Sequence, residues 1–406
     1  MNLISGPVRI AKPWATDYAP LSAVTTIYSG TSVYHSEAGS GTYVHAAIGN
    51  VGGNVLYFRS TDEGATWASP VDLGVGTMFL SQPIMADGAT VGLCTINSNQ
   101  TITDWVGSRD VGEVSIRRST DNGATWSSAT AIGGTAKAFR VGFSISGGYW
   151  NAVWMDYRSG TTWDIYWNRS TDNGATWGTA TRLVQGTDAS GVGAERPDLW
   201  HDGNYVHMVW MDGRDERGST PSEGGNIPTG TEVYYKRSAD NGATWGSDVR
   251  LTTSGFWANG TTPLYAGRPT VIARNGTVVV TFDRRPDANG NEIAQIRSTD
   301  NGATWSSYVN LTNSTGAGDA THGQCRPGRL LGESWLVWGD EKTGVELGYE
   351  RGTYDGGASW LPERVIDTPS NAPPPSNTAS ATYVHYFWTN SSYNQYFHQR
   401  HKIATP

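Results

Sequence analysis

Cysteine is nearly absent: in 406 residues there are two, Cys94 in VGLCTI and Cys325 in GQCRPG. Two cysteines build neither a disulfide framework nor a zinc site, and no bridge between them is expected. Positive charge is also scarce, with 29 Lys and Arg against 37 Asp and Glu and a net charge of -8. Nucleic acid is thereby excluded as an expected partner, because phosphate binding needs clustered cations that release counterions. No apolar run approaches the roughly 18 residues of a helical membrane span, so no membrane partner is expected. The opening MNLISGPVRIAKPW lacks a charged segment followed by an apolar one, so no secretory signal is read there. An extracellular or virion-associated role, reached by another route, is favoured over a cytoplasmic one. Amphipathic helical spacing is missing too, which removes the helical fold classes.

What is abundant is glycine and tryptophan, 51 and 18 residues, the composition of a large all-β chain punctuated by turns. RSTDNGATW occurs three times, ending at Trp126, Trp177 and Trp305, and variants end at Trp67, Trp245 and Trp360. The period, about 50 to 70 residues, is too long for helical solenoids and suits propeller blades. The unit ending at Trp245 shows four short strands, a to d from the inside outward: ERPDLW, YVHMVWMD, TEVYYKRS and SDVRLT. Turn residues separate them. The repeated motif is then the c-to-d turn, with Asp accepting backbone N–H groups, Gly supplying positive φ, and Trp packing on its own blade. Six near-identical turns are expected to be structural.

The motif S-x-D-x-G-x-T-W is the Asp box, and the chain resembles the sialidase-like, or BNR-repeat, β-propeller family over nearly its whole length. The resemblance implies one propeller domain, residues 1–406, of four-stranded blades. The N-terminal GPVRIAK reads as an outer strand, with residues 2–10 completing a blade whose b and c strands are TYVHYFWT and NQYFHQRHKI. That gives seven blades, six with boxes and one closed by the two termini, with six blades as the alternative. Closing the ring hides strand edges.

The connections opposite the boxes vary in length and carry charge, for example INSNQTITDWVGSRDVG and GRDERGSTPSEGGNIPTG, and binding residues accumulate in such loops. Arginines recur at the innermost strands: Arg140 in FRVG, Arg196 in ERPD, Arg268 in GRPT and Arg326 in CRPG. Converging guanidiniums hold carboxylates bidentately, so these four are candidate binders of an anionic glycan. They are alternatively structural partners of Asp156, Asp212 and Asp283. The R-x-P element resembles the arginine triad of sialidases, although the first unit here reads SVYHSEAG, without arginine.

Asp215, Glu216 and Glu223 are candidate acids, Asp215 and Glu223 being preferred, and Tyr265 is the preferred nucleophile with Tyr34 beside it; sialidases use Tyr in that role. His45, His207 and His385 share one b-strand position and are expected to pack. His35 and His322 stay open, which keeps a uronate lyase as an alternative. The leading reading is a sialidase-like glycoside hydrolase, against a non-catalytic glycan-binding or virion- or cell-surface-associated propeller. No metal or cofactor is expected.

Overall fold

The computed structural model describes residues 19–403 apart from 31, 51–52, 77–82, 105–106, 135–136, 187–192, 215–230, 254–264, 288–289, 313–319, 328–332, 341–346, 367, 369–374 and 391. Its described residues form strands and no helix. In chain order these are β1 (Thr25–Ser29), β2 (Ser32–Ser40), β3 (Tyr43–Asn50), β4 (Asn54–Ser60) and β5 (Val71–Val75). Next come β6 (Ile84–Asp87), β7 (Thr90–Asp104), β8 (Gly107–Ser119), β9 (Thr130–Ala131), β10 (Ala138–Ser146), β11 (Tyr149–Asp156), β12 (Asp164–Ser170) and β13 (Thr181–Val184). The middle of the chain gives β14 (Ala194–Asp202), β15 (Tyr205–Asp212), β16 (Glu232–Ser238), β17 (Val249–Arg250), β18 (Tyr265–Arg274), β19 (Thr277–Asp287), β20 (Gly290–Ser298) and β21 (Val309–Asn310). The last are β22 (Ala320–Pro327), β23 (Ser334–Asp340), β24 (Leu347–Thr353), β25 (Arg364–Val365), β26 (Ser376–Ala379), β27 (Tyr383–Thr389) and β28 (Gln395–Lys402).

These strands make a β-propeller. Five sheets are four-stranded antiparallel meanders, and β6 to β13 form one eight-stranded sheet. Within that sheet β8 and β10 meet through a single register pair, Gly112 opposite Ala138. The b strands are buried on both faces, which their sequences explain. In β15, Val206, Met208 and Trp210 pack with Val153 and Ile165, while Val209 packs with Val233, Tyr235 and Val271. Alternate residues thus serve two neighbouring cores, and the strand reads as a continuous apolar run.

The repeated turn works between repeats as well as within them. Asp172 accepts from Thr176 N at 2.8 Å and from Thr176 Oγ1 at 2.6 Å, and Ser170 Oγ accepts from Gly174 N at 2.9 Å. Those bonds, Thr176 first, hold the exposed Asp172 carboxyl down to about 2. The tryptophan, however, does not simply pack on its own blade. Trp126 meets Tyr57 of β4 edge-on at 4.8 Å, Trp245 meets Trp167 of β12 at 6.1 Å, and Trp305 meets Tyr235 of β16 at 4.7 Å. Each is a wedge against the preceding repeat, because the c-to-d turn overhangs the inter-repeat gap.

Arginines on the c strands complete the link. Arg59 donates to Asn122 O, Arg118 to Asn173 O, Arg169 to Asn241 O and Arg237 to Asn301 O, at 3.4, 3.3, 3.4 and 2.5 Å. Arg297 reaches Gly356 O at 2.6 Å, and Arg400 of β28 reaches Glu63 O in the first turn. The segment after the last motif is thereby joined to the first.

The expected outer strand at residues 2–10 lies outside the described residues. The strand that pairs with β28 is β1, Thr25 opposite His398 through Ser29 opposite Gln395. Glu63 stands where four of the other turns carry Asn and the last carries Gly356, and it fastens this seam: it accepts from Thr382 N at 2.6 Å, Thr382 Oγ1 at 2.7 Å and Ser380 Oγ at 3.0 Å. Cys94 is a buried free thiol, raised by desolvation. No described helix is long and apolar enough to cross a membrane.

Candidate functional site

The a-to-b and c-to-d turns share one face, as their backbone bonds show: Asn122 N donates to Ala89 O and Asn241 N to Asn204 O, both at 2.8 Å. The opposite end of the central channel receives the starts of the inner strands. There β10, β14 and β18 each carry a bulge, between Phe139 and Val141, Glu195 and Asp198, and Gly267 and Thr270. Arg140, Arg196 and Arg268 sit in those bulges with φ of 58°, 53° and 48°. Left-handed backbone in a non-glycine residue costs of order 1–3 kcal/mol and persists only when surroundings impose it. Bulges re-aim a side chain next to functional sites.

The three guanidiniums act on one another. Desolvation lowers Arg140 to about 10, with Arg109 and Arg268 adding to the fall and the buried Glu195 and Tyr34 opposing it. Arg196 is held well below the arginine range by desolvation and then by Arg140, Arg268 and Arg109, against Glu195. Both shifts follow from cations crowded at low dielectric.

The structural alternative for these arginines is realised at Arg268, whose Nη1 meets Asp283 Oδ2 at 3.1 Å. Asp156 instead pairs with Arg158 at 2.6 Å, and Asp212 with Arg214 at 2.7 Å. A near neighbour two residues on reaches the carboxylate first. The Trp154 and Trp210 indoles also donate to these carboxylates, at 2.9 and 2.8 Å.

Arg326 does not join the group. In β22 the bulge falls between Thr321 and Gln324, which puts His322 at the register position of the arginines, and Arg326 lies opposite Trp335 towards the other end of the strand. The R-P dipeptide misled because Arg326 precedes Pro327 in a different register. In β2 the bulge falls at Val33, between Ser32 and Tyr34, so the first repeat carries no arginine there.

The segment 97–112 is not an irregular loop. It continues β7 and β8 as a paired ladder to Asp104 opposite Gly107. Asp104 at the tip accepts from Trp163 Nε1 at 2.9 Å and pairs with Arg109 Nε at 2.8 Å. Arg109 lies over Phe139 at 5.0 Å, and Arg140 over the same ring at 5.5 Å. Sequence reasoning missed Arg109 and Glu195. The strand alternation in TITD, residues 101–104, is masked by its polar character, and nothing local marks Glu195 apart from its place beside Arg196.

Asp215, Glu216 and Glu223 lie outside the described residues. Tyr265 opens β18 opposite Arg285 in backbone register. Tyr34 is partly buried and within electrostatic reach of Arg140. His35 Nδ1 meets Glu37 Oε1 at 2.8 Å and Ser376 Oγ at 3.2 Å. His45 and His207 are buried packing residues, bonded to Tyr57 OH and Tyr235 OH at 2.6 and 2.7 Å. His385 is buried beside His398 at 3.0 Å. Among the described residues no cluster of three acidic, His or Cys side chains is suited to a metal.

A cavity of about 610 Å³ occupies the other end of the channel, lined by small residues with Trp200, His201, Asp87 and Asp202 among them. Two of its carboxylates are engaged by turns of neighbouring repeats, Asp87 accepting from Gly147 N and Asp202 from Gly276 N, both at 2.8 Å, and Glu37 is held by His35, Ser376 and Tyr396.

Residues 139–385 match the family model of the BNR repeat-like domain. The chain belongs to that family. No curated protein matches this sequence. Among solved structures, this BNR-repeat protein is similar to an ulvan lyase of polysaccharide lyase family PL25, at 9% identity, 92% of this chain, 94% of that chain and TM-score 0.63. The same lyase bound to -[GlcA(1-4)Rha3S]- gives 9% identity, the same coverage and 0.61. YCF48 bound to D1 peptide gives 17% identity, 96% of each chain and 0.50. At these identities the likeness is one of fold.

Proposed function

We propose that this protein is a carbohydrate-active enzyme that binds an anionic glycan at the arginine-lined end of its channel. The observation that carries the reading is the trio Arg140, Arg196 and Arg268, held in left-handed bulges at equivalent places in three repeats. Left-handed backbone and crowded guanidiniums cost a scaffold stability, whereas a carboxylate ligand gains bidentate partners from them. The bond cleaved is glycosidic and adjacent to the acidic sugar. Tyr34 or Tyr265 serves as nucleophile in hydrolysis, with Asp215 or Glu223 as the acid. A second reading, elimination from a uronate with Tyr34 as base, is favoured by the similarity in fold to a lyase crystallised with a glucuronate-containing ligand.

The same reading takes the chain as one propeller of seven blades, residues 1–406. The two successive meanders of the eight-stranded sheet support that count, and so does the closing bond from Arg400 to Glu63.

The test compares an acidic glycan with its methyl ester on the wild type and on Arg196→Lys, which keeps charge and loses the fork. The acid is expected to bind the variant about tenfold to hundredfold more weakly, in line with about 1.5–3 kcal/mol for a charge-assisted bond. The ester is expected to be indifferent. Equal binding of acid and ester by the wild type overturns the proposal. Reducing ends without the ultraviolet absorbance of an unsaturated uronate identify hydrolysis; their appearance with it identifies elimination; binding without new ends identifies a lectin.

A further inference from the structure

The β7–β8 hairpin is the feature of this end of the channel that the arginine trio does not explain. Its strands run 15 and 13 residues, against 8 and 7 in β11 and β12. The extension does not float. Its tip is tied to the next repeat through Asp104 and Trp163, over a small core of Val111, Met155 and Trp163 with Ile102 and Phe139 packed against it. The arm therefore delivers one cation, Arg109, to a fixed place, with its side chain 11% exposed.

That place lies beside the trio rather than within it. Arg109 and Arg140 ride on the same Phe139 ring, which spaces the two guanidiniums along the site. One carboxylate has two oxygens with about four acceptor positions, while each guanidinium presents five N–H donors. Asp104 occupies the Nε of Arg109 and Asp283 one Nη of Arg268, and the donors that four guanidiniums from β8, β10, β14 and β18 retain at their other nitrogens still outnumber the acceptor positions of one carboxylate.

Resting on the anionic-glycan reading, we propose that Arg109 is a specificity-determining residue that selects glycans carrying a second anionic group on the sugar next to the one held by the trio. The ligand class is an acidic oligosaccharide, its second charge a carboxylate or a sulfate ester, rather than an isolated acidic sugar.

The experiment measures binding of galacturonic acid, of its trimer, and of a sulfated disaccharide with one uronate, by titration calorimetry. Wild type is expected to prefer either multiply charged probe by at least tenfold; which of the two is preferred identifies the second anion. Arg109→Gln is expected to bring that ratio to about threefold or less, with a smaller loss for galacturonic acid than for either multiply charged probe. Asp104→Asn with Arg109→Gln keeps both the net charge and an acceptor for Trp163, and is expected to behave likewise while melting as wild type does. An unchanged ratio in both variants overturns the inference and leaves the trio reading standing. Equal loss for all probes overturns it too, by assigning Arg109 to the first anion. If wild type binds no probe and Arg196→Lys changes nothing, the trio reading and this inference fall together.

Discussion

The two ends of the central channel are built on opposite rules. At the turn-bearing end the six motif-bearing repeats do the same thing: Asp accepts its turn N–H groups, Gly supplies positive φ, and Trp wedges against the preceding repeat. The turn carboxylates there are satisfied by short, local bonds, as Asp172 is by Thr176. At the other end equivalent positions differ. Three carry arginine in strained backbone, one carries His322, and one carries Val33; the β7–β8 hairpin, with strands of 15 and 13 residues, brings a fourth cation. Repetition marks what the ring needs everywhere, and strain at selected repeats marks what it needs once.

The comparison is broken most severely at the repeated turns. Gly302 has φ of +76°, and an added Cβ would lie 2.0 Å from the Tyr235 hydroxyl. Gly302→Ala is expected to cost about 2 to 4 kcal/mol, by backbone incompatibility together with overpacking. Denaturant unfolding checks this, and a loss below about 1 kcal/mol would show that the turn is not the rigid wedge described.

A smaller effect is expected at the seam. Glu63→Ala removes the acceptor of Thr382 and Ser380, with an expected cost of about 2 kcal/mol, while Glu63→Asn, which matches four of the other turns, should restore part of it. Hydrogen exchange should locate the opening in β26 to β28. Protection lost evenly round the ring would contradict a seam.

Acid sharpens the same contrast. His45, His207, His398 and His401 are held neutral by burial, each lowered to about 3. Their folded values lie below the unfolded one near 6.5, so the stability they contribute is complete above about pH 6.5 and falls as pH drops towards 3. The turn aspartates, with folded values near 2 for Asp121 and Asp172, extend the loss below about pH 4. Melting temperature against pH should therefore decline from about 6.5 downward. A flat profile to pH 4 would contradict the buried neutral histidines.

The smallest expected effect has the opposite sign. Arg196→Gly relieves left-handed strain and like-charge repulsion, and should raise stability by about 1 kcal/mol while abolishing binding of the acidic glycan. A loss of stability would make Arg196 a structural residue.

The sequence by itself determined the repeat and the strand pattern, because a period of 2 and a motif rich in Asp, Gly and Trp are local properties that need no partner. It also marked Arg140, Arg196 and Arg268, since each precedes a strand in a recognisable place, and the shared position of His45, His207 and His385 correctly read as packing. Only the tertiary structure decided that Arg326 stands out of register, because a bulge position depends on which residue of the partner strand it faces. The same holds for β1 as the partner of β28 and for the tryptophans wedged between repeats. Arg109 was beyond local reading for the same physical reason: thirty residues separate it from Arg140, and a charge acquires its meaning only from the neighbours that the closed ring puts beside it.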